Sequence, residues 1–182
     1  MGKEFVFVSG NLKKVHWLET FLGKEIKHQN LDLKEIQSLD TEEVVKEKAY
    51  EAYRLLKQPV LIEDTTLRFN ALGRLPGTFI KFFLQEIQLE GLCKLLGGYT
   101  DKSAVASVMY GIYDSKHFTH LGAEVIGTIA DQPRGSGGHG WDPVFIPEEQ
   151  LKTYAEMTLE EYAHYSVRNK AVKKLEVFLA DD

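Results

Sequence analysis

The chain carries the segment VLIEDT at residues 60–65, a short apolar run that leads directly into two carboxylates. A continuous apolar run of this length, preceded by Pro59, is typical of a strand buried in a sheet. Glu63 and Asp64 follow the run, and adjacent carboxylates at a buried strand end are costly unless they are paired or bound to a metal. Because open α/β sheets form their sites at strand ends, the segment predicts a functional site, with a solvated turn as the alternative.

Strand and helix patterns alternate on both sides of this segment. The predicted strands cover residues 4–8, 60–62, 104–113 and 118–129, and the predicted helices cover 12–22, 41–57, 79–84, 91–96 and 158–178, the last with a break. Thr158 and Glu161 predict a capping box at the start of the last helical segment, and Ser166 is placed to cap its second part. Two long strands follow each other in the middle of the chain, so the sequence predicts an α/β fold with a mixed sheet.

The composition is that of an ordinary globular protein. The 182 residues fit one domain, residues 1–182, and the net charge of −5 argues against a general nucleic-acid-binding surface while leaving room for a small anionic substrate. The one cysteine, Cys93, lies on a helical face and is expected to be a buried apolar residue. With no disulfide, no signal peptide and no apolar run of about 20 residues, we expect a cytoplasmic protein that does not enter a membrane.

The loop SGNLKK at residues 9–14 joins the first predicted strand to the first predicted helix. A glycine turn in this position presents backbone amides and the positive end of the helix dipole, both of which favour phosphate binding. Lys14 adds a point charge for the same purpose. The alternative is an ordinary strand–helix turn with solvent-facing lysines.

Two further charged residues are candidates. Lys48 lies beside the apolar stripe of its predicted helix, so it either points into a pocket or extends past the edge of the core into water. Glu35 is a possible third carboxylate, although spacing alone does not favour it over Asp32 or Asp40.

The glycine-rich loop PRGSGGHGWDP at residues 133–143 lets the backbone approach a ligand closely. His139 and Trp141 offer flat faces for a base, and Asp142 offers a hydrogen-bond acceptor, whereas a flexible loop is the alternative. Arg168 falls in the first turn of the last predicted helix, where a cation opposes the helix dipole. That conflict indicates a specific anionic or carbonyl partner, with a surface arginine as the alternative.

Seven motifs, in order along nearly the whole chain, resemble the inosine triphosphate pyrophosphatase family. They are SGNLKK at 9–14, LIEDT at 61–65, FNALGRLPG at 69–77, DKSA at 101–104, PRG at 133–135, GWDP at 140–143 and TYAEM at 153–157. The resemblance implies an elongated α/β fold with a central mixed sheet flanked by helices, two lobes with a nucleotide cleft between them, and a homodimer. It also implies magnesium-dependent hydrolysis of non-canonical purine nucleoside triphosphates, such as those of inosine and xanthosine, to a nucleoside monophosphate and pyrophosphate.

The same resemblance assigns roles to individual residues. Magnesium would be bound by Glu35 and Asp64, and catalysis would use Asp64 to help activate water, with Glu63 beside it. The residues that would hold the phosphates are Ser9, Asn11, Lys14 and Lys48. Thr65 would also contact the substrate. The residues that would contact the base are His139, Gly140, Trp141, Asp142, Tyr162, Val167 and Arg168.

Three positions near the base depart from the family pattern. His139 replaces a phenylalanine, Tyr162 a lysine and Val167 a histidine. The preference for inosine and xanthosine triphosphates over adenosine triphosphate is therefore expected to be narrower than the resemblance implies. Because two donors near the base edge are lost, a nucleotide-binding sensor without turnover is an alternative function. Two further alternatives are pyrophosphatase activity on a nucleotide with a different base and phosphatase activity on a small phosphate ester. The products separate all of these: pyrophosphate, orthophosphate or nothing.

Overall fold

The computed structural model describes residues 4–180, in which strands and helices alternate along the chain. The strands are β1 (Val6–Val8), β2 (His28–Gln29), β3 (Val60–Phe69), β4 (Pro76–Gly77), β5 (Ser103–Tyr113), β6 (Phe118–Ile129) and β7 (Phe145–Pro147). The α-helices are α1 (Leu12–Leu22), α2 (Thr41–Leu56), α3 (Ile80–Leu95), α4 (Leu159–Tyr165) and α5 (Val167–Ala180). Short 3-10 helices cover Asn70–Leu72 and Tyr154–Glu156.

The strands form one mixed sheet, as the alternation of elements predicted. Its order is β2-β1-β3-β5-β6-β7, and β4 pairs with β3 beside this path. β1 is parallel to both β2 and β3, whereas the pairs β3–β4 and β6–β7 are antiparallel. The fold is therefore a mixed α/β fold with a central mixed sheet flanked by helices.

The prediction that the strand after Pro59 ends at Ile62 is wrong, because β3 continues to Phe69. Residues 65–69 contain β-branched, apolar and aromatic side chains that favour a strand, and this second part of β3 pairs with β4. The neighbouring strand β1 is much shorter than β3. β1 stops at Val8, which places Glu63 beyond the β1–β3 ladder although it lies within a strand.

The chain divides into two compact units of interleaved segments. The first comprises Met1–Asp64, Val108–Ala123 and Lys170–Asp182, and the second comprises Thr65–Ser107 and Glu124–Asn169. Whether residues 1–182 act as one domain, as the length suggested, stays a prediction.

Each unit has its own apolar packing. In the first unit, side chains of β1 and β3 pack against one face of α2, in a cluster of Val6, Val8, Val45, Ala49, Ala52, Val60 and Ile62. In the second unit, Trp141 and Phe145 meet edge to face with ring centroids 5.6 Å apart, and Tyr154 lies 5.1 Å from Phe145. Such aromatic pairs add to the stabilisation from buried area alone.

The helix boundaries follow from local chemistry. Asp40 accepts hydrogen bonds from the backbone amides of Glu42 and Glu43 and so caps the start of α2. The predicted capping box of Thr158 and Glu161 is confirmed at the start of α4. The predicted break also occurs, and the Ser166 hydroxyl accepts a hydrogen bond from the backbone amide of Asn169 at the start of α5.

The helical segments predicted at residues 79–84 and 91–96 belong to one helix, α3, with a break at Gln88, whose backbone is not helical. Cys93 lies on this helix and is buried, as expected. Burial raises the pKa of its thiol to about 11, so the nucleophilic thiolate is scarce at neutral pH. None of the helices within residues 4–180 is long and apolar enough to cross a membrane.

The capping role of Asp40 predicts a measurable loss of stability. Asp40→Ala leaves two amides at the start of α2 without their side-chain acceptor, so we expect the free energy of unfolding in urea to fall by about 1 kcal/mol. Asp40→Ser keeps a capping oxygen and should lose much less. Equal stabilities of the alanine and serine variants would contradict the capping role.

Candidate active site

The loop between β1 and α1 is held in shape by its own polar side chains. The Ser9 hydroxyl accepts a hydrogen bond from the backbone amide of Asn11 at 3.1 Å, and the Asn11 side chain accepts one from the backbone amide of Lys13 at 3.0 Å. Asn11 is thereby the N-cap of α1, and both it and Gly10 are exposed. The structure thus presents the start of α1 to solvent in an ordered loop, where an anion is favoured.

Lys14, in the first turn of α1, points at Glu63 on β3. Its ammonium lies 3.3 Å from Oε1 of Glu63 and 3.4 Å from the backbone oxygen of the same residue. The Glu63 side chain is 0% exposed, and its Oε2 accepts a hydrogen bond from the hydroxyl of Tyr110 at 3.1 Å. A buried carboxylate is tolerated here because a cation and a hydroxyl both face it.

Lys48, on α2, bridges two other carboxylates. Its ammonium lies 2.9 Å from Oε1 of Glu35 and 3.6 Å from Oδ1 of Asp64, and its side chain is only 12% exposed. Burial by itself lowers the pKa of Lys48, but the attraction of Asp64 and Glu35 outweighs burial and leaves that pKa raised. Lys48 therefore stays charged in a largely buried position, and it does not extend past the core edge into water.

Asp64 lies half-buried opposite Lys48. Burial raises the pKa of the Asp64 carboxyl, and the nearby carboxylates of Glu35 and Glu63 raise it further, while Lys48 and Lys14 oppose the shift. The net direction of the pKa shift is upward, because burial disfavours the charged form of this carboxyl. Thr65 follows it on β3 and is also half-buried.

The structure separates the three acidic candidates that spacing left equal. Asp40 is used as the cap of α2, and Asp32 is exposed. Glu35 is the one that reaches Lys48, and 42% of its side chain is exposed, so its carboxylate is open to solvent.

The donor set fits a divalent cation that arrives with further ligands. One ammonium already lies within 3.6 Å of both Glu35 and Asp64, so a cation in the same gap would meet oxygens of both carboxylates. Across residues 4–180 no group of three or more histidine, cysteine, aspartate or glutamate side chains is arranged to hold a metal by itself. Hard cations that bind through one or two carboxylates complete their coordination with water and substrate phosphates.

A second polar cluster lies in the other unit, around the glycine-rich loop. Oδ2 of Asp142 accepts a hydrogen bond from the backbone amide of His139 at 2.9 Å and lies 3.5 Å from the hydroxyl of Tyr162. Burial raises the pKa of Asp142 to about 6, against the opposing effects of the His139 amide, Arg168 and Tyr162. A side chain at Gly138 would place its Cβ 2.2 Å from Asp142 Oδ2, so the approach of loop and carboxylate requires this glycine.

The imidazole of His139 contacts Arg168 as well. A guanidinium nitrogen of Arg168 lies 3.3 Å from Nε2 of His139. Because a guanidinium only donates hydrogen bonds, we assign Nε2 as the acceptor, which places the ring proton on Nδ1, 3.8 Å from Oδ2 of Asp142. Arg168 is buried at the start of α5, so it is not a surface arginine. Its specific anionic or carbonyl partner stays a prediction.

The remaining residues expected to contact a base differ in exposure. Gly140 is exposed and has a φ of 62°, which suits glycine. Trp141 and Val167 are both buried, and the Trp141 ring packs on Phe145. Their contact with a base stays a prediction.

Tyr110 is the residue that sequence reasoning missed. It lies in the predicted strand at residues 104–113 among apolar neighbours, and its pattern is that of any buried aromatic side chain. Only the pairing of distant strands reveals that its hydroxyl meets Glu63.

Two curated proteins named as inosine triphosphate pyrophosphatases are similar to this chain over most of its length. The chain is 41% identical over 172 residues to inosine triphosphate pyrophosphatase 2 of Trypanosoma cruzi (strain CL Brener), a match that covers 92% of this chain and 88% of that protein. It is 43% identical over 182 residues to the inosine triphosphate pyrophosphatase of Yarrowia lipolytica (strain CLIB 122 / E 150), covering 97% of this chain and 95% of that protein.

Solved structures match the fold. The Staphylococcus aureus Ham1 protein has a TM-score of 0.84 at 26% identity, over 97% of this chain and 98% of that one. A HAM1 protein from Coxiella burnetii has the same TM-score at 22% identity, over 98% and 99% of the two chains, and supports the fold alone. A model of the Ham1 family matches residues 5–178. With that match and two relatives that are 41% and 43% identical over most of their lengths, this chain belongs to the Ham1 family.

Proposed function

We propose that this protein hydrolyses nucleoside triphosphates to a nucleoside monophosphate and pyrophosphate, with magnesium, and that its substrates are non-canonical purine nucleotides such as inosine and xanthosine triphosphates. The observation that carries the proposal is the cluster in which Lys14 and Lys48 meet Glu35, Glu63 and Asp64. The names of the two relatives, both inosine triphosphate pyrophosphatases, support the choice of substrate.

The charges of this cluster suit a polyphosphate that binds together with a metal. Two lysines and three carboxylates leave one net negative charge, which repels a free nucleotide. A divalent cation held by Glu35 and Asp64 would make the cluster positive, and the Lys48 ammonium would then be available to phosphate oxygens. The loop at the start of α1 adds backbone amides and the helix dipole. The proposed phosphate contacts are Ser9, Asn11, Lys14 and Lys48, and Thr65 is proposed as a further substrate contact.

The chain's own residues account for the chemical step. Asp64 accepts a proton from a water whose oxygen forms a bond to the α-phosphorus. The bond from the α-phosphorus to the bridging oxygen breaks, and pyrophosphate leaves with that oxygen. Lys14 and Lys48 stabilise the negative charge that develops on the leaving group. Glu35 and Asp64 would hold magnesium, which would supply positive charge for the phosphate oxygens.

We propose that the cluster around Asp142 binds the base. His139 and Tyr162 replace the phenylalanine and lysine of the family pattern, so the discrimination between bases is expected to be this chain's own. The full proposed set is His139, Gly140, Trp141, Asp142, Tyr162, Val167 and Arg168. The family resemblance also supports a homodimer.

The proposed function is tested by the products. With magnesium, inosine or xanthosine triphosphate should yield pyrophosphate and the matching monophosphate, and chelation of magnesium should abolish the release. Orthophosphate as the first product would indicate a phosphatase. Binding without any product from inosine, xanthosine or canonical triphosphates would indicate a nucleotide sensor.

Replacing Asp64, the proposed general base, gives a second test. Asp64→Asn keeps the shape of the side chain but removes its proton acceptor and one metal ligand, so turnover of inosine triphosphate should fall by on the order of 10²-fold or more. Asp32→Asn is the matched control, because Asp32 is an exposed aspartate outside the cluster, and it should keep full activity. A folded Asp64→Asn variant with near wild-type turnover would exclude this role for Asp64.

The contact between His139 and Arg168 predicts an effect on base choice. In His139→Phe the guanidinium of Arg168 loses an acceptor, and a purine with a carbonyl at position six can replace it, whereas one with an amino group cannot. We expect the ratio of kcat/KM for inosine over adenosine triphosphate to rise by about 10-fold. An unchanged ratio would show that Arg168 does not read this part of the base.

A further inference from the structure

We propose that Tyr110 is a positioning residue whose buried hydroxyl fixes the carboxylate of Glu63, and that Glu63 in turn holds the ammonium of Lys14 in place for phosphate. The inference rests on the proposed function, since it assigns to Lys14 a phosphate contact. It gives Glu63 a role different from that of Asp64, although the two residues are neighbours in sequence.

The two oxygens of Glu63 face different partners. Oε1 lies 3.3 Å from the ammonium of Lys14, and Oε2 accepts the hydrogen bond from Tyr110 at 3.1 Å. A carboxylate held by donors on both oxygens keeps one orientation, because rotation of the group would weaken both contacts. Tyr110 is itself fully buried on β5, so its hydroxyl approaches from a rigid element.

Burial separates Glu63 from the reacting groups. Its side chain is 0% exposed, whereas that of Asp64 is 17% exposed and that of Glu35 is 42% exposed. A side chain with no exposed surface does not touch water or substrate in this arrangement. Glu63 therefore acts through Lys14, whose side chain is 17% exposed and so reaches both the carboxylate and the surface.

Strand geometry explains why the neighbours differ. Successive side chains of a strand point to opposite faces of the sheet. Val60 and Ile62 pack against α2, so Asp64 continues their face and meets Lys48 of the same helix. Glu63 points to the other face, where it meets Lys14 of α1.

Holding Lys14 in advance benefits phosphate binding and turnover. A lysine has a flexible four-carbon stem, so an unrestrained ammonium must be ordered when the ligand binds. An ammonium that already lies against a fixed carboxylate and a backbone oxygen needs little reorganisation. Loss of the Tyr110 hydroxyl should leave Lys14 in reach of phosphate but less well placed, and small misplacements of charged groups have large effects on rate.

The test is a double-mutant cycle between Tyr110→Phe and Lys14→Met, read by two measurements. The first is the affinity for tripolyphosphate with magnesium, measured by calorimetry, which needs no turnover. The second is kcat/KM for inosine triphosphate. We expect Tyr110→Phe alone to lower both by about 10-fold, and to have less than about a 2-fold effect once Lys14 is methionine.

Tyr113→Phe is the matched control. Tyr113 lies on the same strand and its hydroxyl donates to the backbone oxygen of Ser115, outside the cluster. Tyr113→Phe also removes one tyrosine hydroxyl, but at a position outside the cluster. The variant should therefore leave both measurements at wild-type values. Thermal unfolding of every variant reports any general loss of packing, and Glu63→Gln should reproduce the coupling to Lys14 if Tyr110→Phe proves unstable.

The outcomes separate this inference from the proposed function. If Tyr110→Phe has the same effect with Lys14 present or replaced, the hydroxyl is only structural and the inference is overturned. Wild-type protein that does not bind tripolyphosphate would overturn it too. Binding that shows the expected coupling, in a protein that releases no pyrophosphate, would support the inference and reject the proposed reaction.

Discussion

Two adjacent carboxylates on one buried strand need separate cations, because an uncompensated charge in this environment is strongly destabilising. The alternation of side chains along β3 meets this need by directing Glu63 to one face of the sheet and Asp64 to the other. Lys14 of α1 pairs with Glu63 on one face, and Lys48 of α2 pairs with Asp64 on the other. The position of both helices against the sheet is therefore tied to the same two residues that make the site.

Glu63 and Asp64, although adjacent in sequence, have different surroundings and different proposed roles. The fully buried Glu63 orders a lysine, while the partly exposed Asp64 shares its lysine with the exposed Glu35 and remains accessible. β1 ends at Val8, so it does not extend alongside Glu63 and Asp64 on β3. This early end contributes to the exposure of Asp64. Preorganised charges of this kind are a large part of how enzymes stabilise phosphoryl transfer, because they need not reorient during the reaction.

The cluster around Asp142 follows a different logic. The buried carboxyl of Asp142, with a pKa of about 6, lies close to the backbone amide of His139, the hydroxyl of Tyr162 and the imidazole of His139. The same imidazole contacts the guanidinium of Arg168. A substitution at His139 therefore also changes the surroundings of Arg168. The imidazole of His139 accepts a hydrogen bond from Arg168, so it determines how much of that guanidinium is left to donate to another partner.

Local chemistry alone determined much of this protein. Periodicity and capping residues predicted the alternating elements, the starts of α2 and α4 and the break before α5, since these depend on neighbours within a few residues. The glycine loops and the carboxylate pair were visible for the same reason. Only the tertiary structure decided the length of β3, the contact of Glu35 with Lys48, and the partnership of Tyr110 with Glu63. These depend on strand register and helix packing between segments far apart in the chain, and no local pattern encodes which distant side chain a buried charge will meet.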